Sequence, residues 1–159
     1  IILIGVSFGG IIVQEISKII SVKKTIIISS VKTKKELPFM MTIGKSTGLY
    51  KYVPVNWIDN VESLAKFVFG PSIKKKIGLY RKYLSVRDEH YLRWCIDKII
   101  NWDNEKVPKN LIHIHGSLDL VFPSVYISNA ILVKNATHAM ILTKASWLNK
   151  NIPELILKN

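Results

Sequence analysis

An α/β fold, with a mostly parallel sheet of about four strands flanked by helices, is what this sequence predicts, and three observations carry it. Short apolar runs rich in β-branched residues, at 1–6, 25–29, 111–115 and 130–133, have the length and composition of strands. Between the first two, residues 8–20 carry apolar side chains at helical spacing. Strand, helix and strand in that order make a βαβ unit, and its two strands lie parallel.

The opening run, Ile-Ile-Leu-Ile-Gly-Val, is continuous rather than alternating, which predicts a strand buried on both faces. In 8–20 the apolar side is Ile11, Ile12, Ile16, Ile19 and Ile20, with Gln14, Glu15 and Lys18 on the other side. Residues 25–29 close the unit.

From 33 to 108 aromatics, lysines and helical periodicity replace the short apolar strands. Helices are expected at 71–84, with Pro71 at the start, and at 88–102, with Asp88 as N-cap. A stretch this long exceeds one crossover and predicts a helical cap or lid; ordinary crossover helices are the plainer alternative. The expected division is a core of 1–32 and 109–159 and a cap insertion of 33–108. The third strand, 111–115, ends at Gly116, the fourth is 130–133, and helical spacing resumes over 139–149 through Met140, Ala145 and Leu148. There is no internal repeat and no low-complexity tract.

Length and composition bound the function. A chain of 159 residues that is 48% hydrophobic can bury a real core, which sets disordered and fibrous classes aside. It opens on Ile1 rather than Met and goes directly into an apolar run, so it reads as cut from something longer. That run is too short for a signal-peptide core or for the roughly 20 residues of a membrane-spanning helix, so no membrane association is expected. Cys95, the one cysteine, has no intrachain partner, which favours a reducing, cytoplasmic setting; its place beside Trp94 and Ile96 argues for packing rather than nucleophilic chemistry.

The net charge of +12 raises the question of nucleic acid. Only Arg81, Arg87 and Arg93 are arginines, the lysines are scattered, and no nucleic-acid-binding motif accompanies them, so no nucleic-acid partner is expected. No cofactor or metal is expected either.

The chemical signal is Gly5-Val6-Ser7-Phe8-Gly9, a G-x-S-x-G match that falls where a strand ends and a helix begins. In a chain of this composition chance alone yields such a match with probability about 0.03, and the strand-to-helix context lowers that several-fold. A serine at so sharp a turn has a strained backbone, so bulk two residues away on either side is excluded; Gly5 and Gly9 are expected to meet that need. The helix N-terminus then points at any developing oxyanion. The alternatives are a glycine turn with no chemistry and a phosphate loop, but neither G-x-x-x-x-G-K-[ST] nor G-x-G-x-x-G occurs here.

Leu3-Ile4-Gly5-Val6-Ser7-Phe8-Gly9-Gly10 resembles the nucleophile elbow of the α/β-hydrolase family. The resemblance covers 1–30 and 110–150 and implies a partial α/β-hydrolase fold, lacking the strands that normally precede the elbow. It also implies a triad in the chain order Ser, acid, His. His115-Gly116-Ser117-Leu118-Asp119, continuing to Pro123, is similar to the family's acid turn, which makes Asp119 the acid. Of His90, His113, His115 and His138, only His138 lies downstream, in a loop like the family's histidine loop. Where the family often has glycine just before that histidine, this chain has Ala136 and Thr137. His113 and His115 read as structural histidines on a strand, and His90 as a solvent-exposed residue of the cap.

In this resemblance Ser7 attacks a carbonyl, His138 takes its proton, Asp119 fixes the imidazole, and an acyl-enzyme is hydrolysed by the same base. One oxyanion donor is the Phe8 backbone N–H; the other comes in the family from a loop after an earlier strand, and no such loop lies within these residues. The implied activity is hydrolysis of a carboxylic ester or related small-molecule acyl compound, with the cap lining an apolar pocket. Serine at the elbow argues against the dehalogenase branch, whose nucleophile is aspartate. A catalytically inactive, truncated hydrolase fragment is the alternative of a different class, and a basic nucleic-acid-binding surface is a third.

Overall fold

A computed structural model describes residues 1–48, 50 and 89–158. Its four strands, β1 (Ile2–Val6), β2 (Lys24–Ile28), β3 (Leu111–Gly116) and β4 (Ile131–Val133), form one sheet in the order β1-β2-β3-β4. All three pairings are parallel, with Ile4 opposite Ile26, Ile28 opposite Ile114, and Gly116 opposite Val133. The carboxyl ends of the strands therefore lie together. The turn after β1 carries Ser7, and the loops after β3 and β4 carry Asp119 and His138.

Helix α1 (Phe8–Ser17) follows β1 directly, and α2 (Phe39–Thr47) and α3 (Glu89–Asn101) come from the central part of the chain. Two helices, α4 (Met140–Thr143) and α5 (Ala145–Leu157), finish the described chain. Ile26 and Ile28 of β2 join Ile114, Val133, Met140 and Leu148 in one buried cluster, beneath α4 and α5. A second cluster joins Ile11 of α1 to Val31, Leu37, Trp102 and Phe122. Each fully buried isoleucine of β2 contributes about 1.5–3 kcal/mol relative to exposure, so the central strand anchors the sheet.

Lys24, at the start of β2, reaches the far end of α5: its Nζ donates to the carbonyls of Leu155 and Ile156, both at 2.8 Å, and to that of Lys158. These acceptors belong to the last turn of the helix, where backbone carbonyls lack intrahelical donors and a cation is favoured. The helix continues through Pro153, which leaves one carbonyl of its preceding turn without a ladder donor.

Several expectations are corrected. The strand at 1–6 is not buried on both faces: among the described residues β1 lies at one end of the strand order, and Ile4 on it is 46% exposed. Gln14, assigned to the polar side of the first helix, is fully buried, whereas Ile12 is exposed. Gln14 follows Gly10 and Ile11 at spacings of four and three, on the face turned to the sheet, and its Nε2 donates to the carbonyls of Gly10 and Val31 at 3.0 and 2.9 Å. That helix ends at Ser17, and Ile19 and Ile20 lie beyond it, exposed. The single helix expected over 139–149 is two, separated at Lys144. The expected helix at 71–84 and the Asp88 cap lie outside the described residues. Among the described residues no helix is long and apolar enough to cross a membrane.

Candidate active site

The end of β1 runs into α1 without a loop, and Ser7 alone makes the turn. Its backbone has φ 53° and ψ −123°, a left-handed conformation that residues with a Cβ rarely adopt and that costs of the order of 1–3 kcal/mol. Two backbone hydrogen bonds hold it there: Ser7 N–H donates to Ile28 O at 2.9 Å, and Gly10 N–H donates to Ser7 O at 2.9 Å. A serine at a helix N-cap ordinarily spends its hydroxyl on the first turn; here it makes no capping bond. The hydroxyl goes to His138 instead.

Gly5 has no room for a side chain, since a Cβ there would stand 2.2 Å from the carbonyl oxygen of Gly9. Gly9 itself departs from expectation, because a Cβ on it would meet nothing within 4 Å. The second crowded position is Gly10, where a Cβ would lie 2.4 Å from Ser30 Oγ against β2. The motif places its glycines by the elbow, but the packing of α1 on the sheet selects Gly10 over Gly9.

The strain at Ser7 supplies a test of the local structure. Ser7→Gly relieves a left-handed residue, so urea unfolding should show the variant more stable by about 1 kcal/mol even though it removes the hydroxyl.

Asp119 lies in the turn after β3, 3% exposed. Its Oδ1 accepts the backbone N–H groups of Val121 and Phe122 at 2.9 and 3.0 Å. With two donors already on it, this carboxylate is the acceptor for the imidazole of His138, whose Nδ1 lies 2.9 Å from Oδ2 and 3.1 Å from Oδ1. Nδ1 therefore carries the proton, and Nε2 is free to accept from the Ser7 hydroxyl at 2.9 Å. The three residues selected from the sequence are thus brought into one hydrogen-bonded line.

Close backbone approach sets the distance between the acid turn and the histidine loop. A Cβ on Gly116 would stand 2.5 Å from the carbonyl oxygen of Ala136, and Leu118 N–H donates to that same oxygen at 2.8 Å. The left-handed residue of the loop is Asn135, at φ 55°, three positions before His138, so the chain turns there without a glycine next to the histidine. The buried ring of Phe122 packs edge-on against the imidazole of His138, centroids 5.7 Å apart.

Phe8, the first residue of α1, has a backbone N–H with no intrahelical acceptor, and it stands beside the Ser7 hydroxyl at the positive end of the helix. Its ring meets Trp94 of α3 edge-on at 5.6 Å, and Trp94 stacks with Tyr91 at 6.1 Å. Trp94 is 49% exposed, so an aromatic surface lies open next to the residue that follows Ser7. His90, on the same helix, is exposed, and Cys95 is half-buried.

His113 and His115 are both buried and in contact, with His113 Nε2 3.2 Å from His115 Nδ1. His115 Nε2 lies 2.8 Å from the carbonyl oxygen of Phe122 and 3.6 Å from Asp119 Oδ2. Burial, followed by the charge that His115 would place beside it, lowers the pKa of His113 to about 3; burial lowers that of His115 as well. Both are neutral at pH 7. Sequence reasoning missed Phe122, which touches Asp119, His138 and His115 at once; only the turn motif, with Pro123 next in line, marks its position.

Among the described residues no group of three or more His, Cys, Asp and Glu side chains could hold a metal ion.

No protein-family model and no curated protein matches the chain. Solved structures do. A hydrolase from Pseudomonas aeruginosa PA01 aligns over 98% of this chain and 64% of its own, at 13% identity and a TM-score of 0.71. An esterase from Rhodococcus sp. ECU1013 aligns over 99% and 66%, at 12% identity and a TM-score of 0.65. An α/β hydrolase from a Medee basin deep-sea metagenome library aligns over 99% and 65%, at 15% identity and a TM-score of 0.66. The chain thus has a partial α/β-hydrolase fold and spans about two thirds of the length of these structures.

Proposed function

We propose that Ser7, His138 and Asp119 act as nucleophile, base and acid in the hydrolysis of a carboxylic ester or related acyl compound. The observation that carries this reading is the continuous line from the Ser7 hydroxyl through His138 to Asp119, with 2.9 Å at each step, on a serine whose backbone is held at φ 53°. The base takes the serine proton as Oγ attacks the acyl carbon, and the carboxylate stabilises the imidazolium that forms. Collapse of the tetrahedral intermediate leaves an acyl-serine, which water attacks with the same base assisting.

The developing oxyanion falls at the N-terminus of α1, where the Phe8 N–H donates. Residues 33–108 act in this reading as the cap, and α3 presents Trp94 over Phe8 as an apolar wall for the acyl group.

The full-length protein is expected to hydrolyse short p-nitrophenyl esters. Trp94→Ala should raise KM for an aromatic acyl ester by about 2- to 10-fold, the worth of one aromatic contact, and leave acetate ester turnover nearly unchanged. Steady-state kinetics on the two esters measures this, and absence of ester hydrolysis by the wild-type protein would count against the reading.

A further inference from the structure

We propose that His113 and His115 form a positioning relay behind the candidate triad, in which His113 donates to His115 and His115 holds Phe122 against Asp119 and His138. The inference rests on the reading of Ser7, His138 and Asp119 as catalytic.

The proton order follows from the ends of the chain of contacts. The carbonyl oxygen of Phe122 can only accept, so His115 Nε2, 2.8 Å away, carries a proton. His115 Nδ1 is then a lone pair, and the ring nitrogen facing it at 3.2 Å, His113 Nε2, must donate. His113 Nδ1 makes no hydrogen bond among the described residues, and although the Ser30 backbone beside His113 favours a further proton on the ring, burial opposes it more strongly and keeps the ring neutral. The rings stand nearly perpendicular, at 82°.

Phe122 converts that fixed tautomer into geometry at the site. Its carbonyl is held by His115, its N–H is delivered to Asp119 Oδ1 at 3.0 Å, and its ring meets His138 at 5.7 Å. One residue thus couples a buried pair of histidines to both the acid and the base. The alternating register of β3 places His113 and His115 on the same face, two residues apart, which is why the pair meets. Asp119, His138 and Glu36 are the charged or titratable groups around His115, with His113 itself; Lys32 and Asp119 face His113 as well.

Without the hold on its carbonyl, Phe122 no longer keeps its N–H on Asp119. A carboxylate with one donor fewer concentrates its charge on His138 and favours the imidazolium. His115→Phe is therefore expected to lower kcat for an ester about 10- to 100-fold with KM within about two-fold, and to move the acid limb of kcat/KM upward by about half a pH unit or more. Glutamine can place its amide nitrogen where Nε2 stands and its oxygen toward His113, so His115→Gln should recover most of the lost kcat and return the acid limb toward the wild-type position.

The experiment pairs these kinetics on the full-length protein with the 15N and 1H ring spectrum of histidine-labelled wild type at pH 7. Both His113 and His115 are expected as neutral Nε2–H tautomers. A folded His115→Phe variant with wild-type kcat and pH profile overturns the relay, as does His115→Gln impaired equally with His115→Phe. If His115→Phe does not fold, the spectrum decides: His115 as the Nδ1–H tautomer or as a cation overturns the inference. If the wild type hydrolyses no ester, it is the reading of the Ser7 site that fails, and the ring spectrum still decides the tautomers independently.

Discussion

Ser7→Ala is expected to abolish ester hydrolysis by the full-length protein, with kcat falling by at least about 10^4-fold while the protein stays folded. Folding should be preserved because Ser7 makes no capping bond and its backbone already carries a Cβ at φ 53°, so alanine introduces no new strain. What is lost is the hydroxyl 2.9 Å from His138 Nε2. His138→Ala should cost a similar factor, and the double variant should be little worse than either single one, because nucleophile and base act as one unit. Measured kcat values for the two single variants and the double variant check this. Additive losses would mean that the two side chains contribute separately, which the hydrogen-bonded line does not allow.

Acid should destabilise the fold well above the range in which carboxylates titrate. Buried His113 is neutral in the folded protein down to about pH 3, against an ordinary histidine value of 6.5 in the unfolded chain. Between those values the unfolded chain binds a proton that the folded chain refuses. The contribution to stability is therefore fully present above about pH 6.5 and is lost as pH falls toward 3, at about 1.4 kcal/mol per pH unit. By pH 4.5 the expected loss is about 3 kcal/mol, a large part of the stability of a domain of this size. His115, whose pKa burial also lowers, adds loss of the same sign. Glutamine at position 113 can donate to His115 without titrating, so urea midpoints of His113→Gln measured from pH 7.5 to 4.5 should fall less steeply than those of wild type. Parallel curves would show that His113 is not buried neutral.

The strands were legible because their apolar runs are local signals, and the elbow because sterics restrict which residues tolerate that turn. The parallel order of the sheet follows from strand, helix and strand in sequence, and the structure bears it out in all three pairings. Short motifs read through the resemblance to the α/β-hydrolase family, with its chain order, picked three residues, far apart in sequence, that the fold brings within hydrogen-bond distance of one another.

What escaped depends on partners distant in sequence. Gln14 looks polar on a helical wheel, yet its amide serves two backbone carbonyls in the interior, one of them at Val31 across the gap between α1 and the loop after β2. Gly9 looks essential and Gly10 incidental, but only Gly10 presses on Ser30. Ile4 belongs to a run that reads as interior, yet it is exposed, because what covers a strand's face is set by elements distant in sequence. Phe122 carries no signal of its own as a single apolar residue, since its role arises from three contacts made by three different parts of the residue. The central segment has no motif, so its division from the core at 33 and 108 remains a proposal.

The most direct test of the central claim is covalent trapping of the nucleophile. The full-length protein would be treated with a fluorophosphonate, which reacts with an activated serine, and the adduct located by mass spectrometry after digestion. The account predicts one adduct, on the peptide containing Ser7, whose formation is abolished in Ser7→Ala and slowed by orders of magnitude in His138→Ala. An adduct on another serine, or labelling of Ser7 at an undiminished rate without His138, would contradict it.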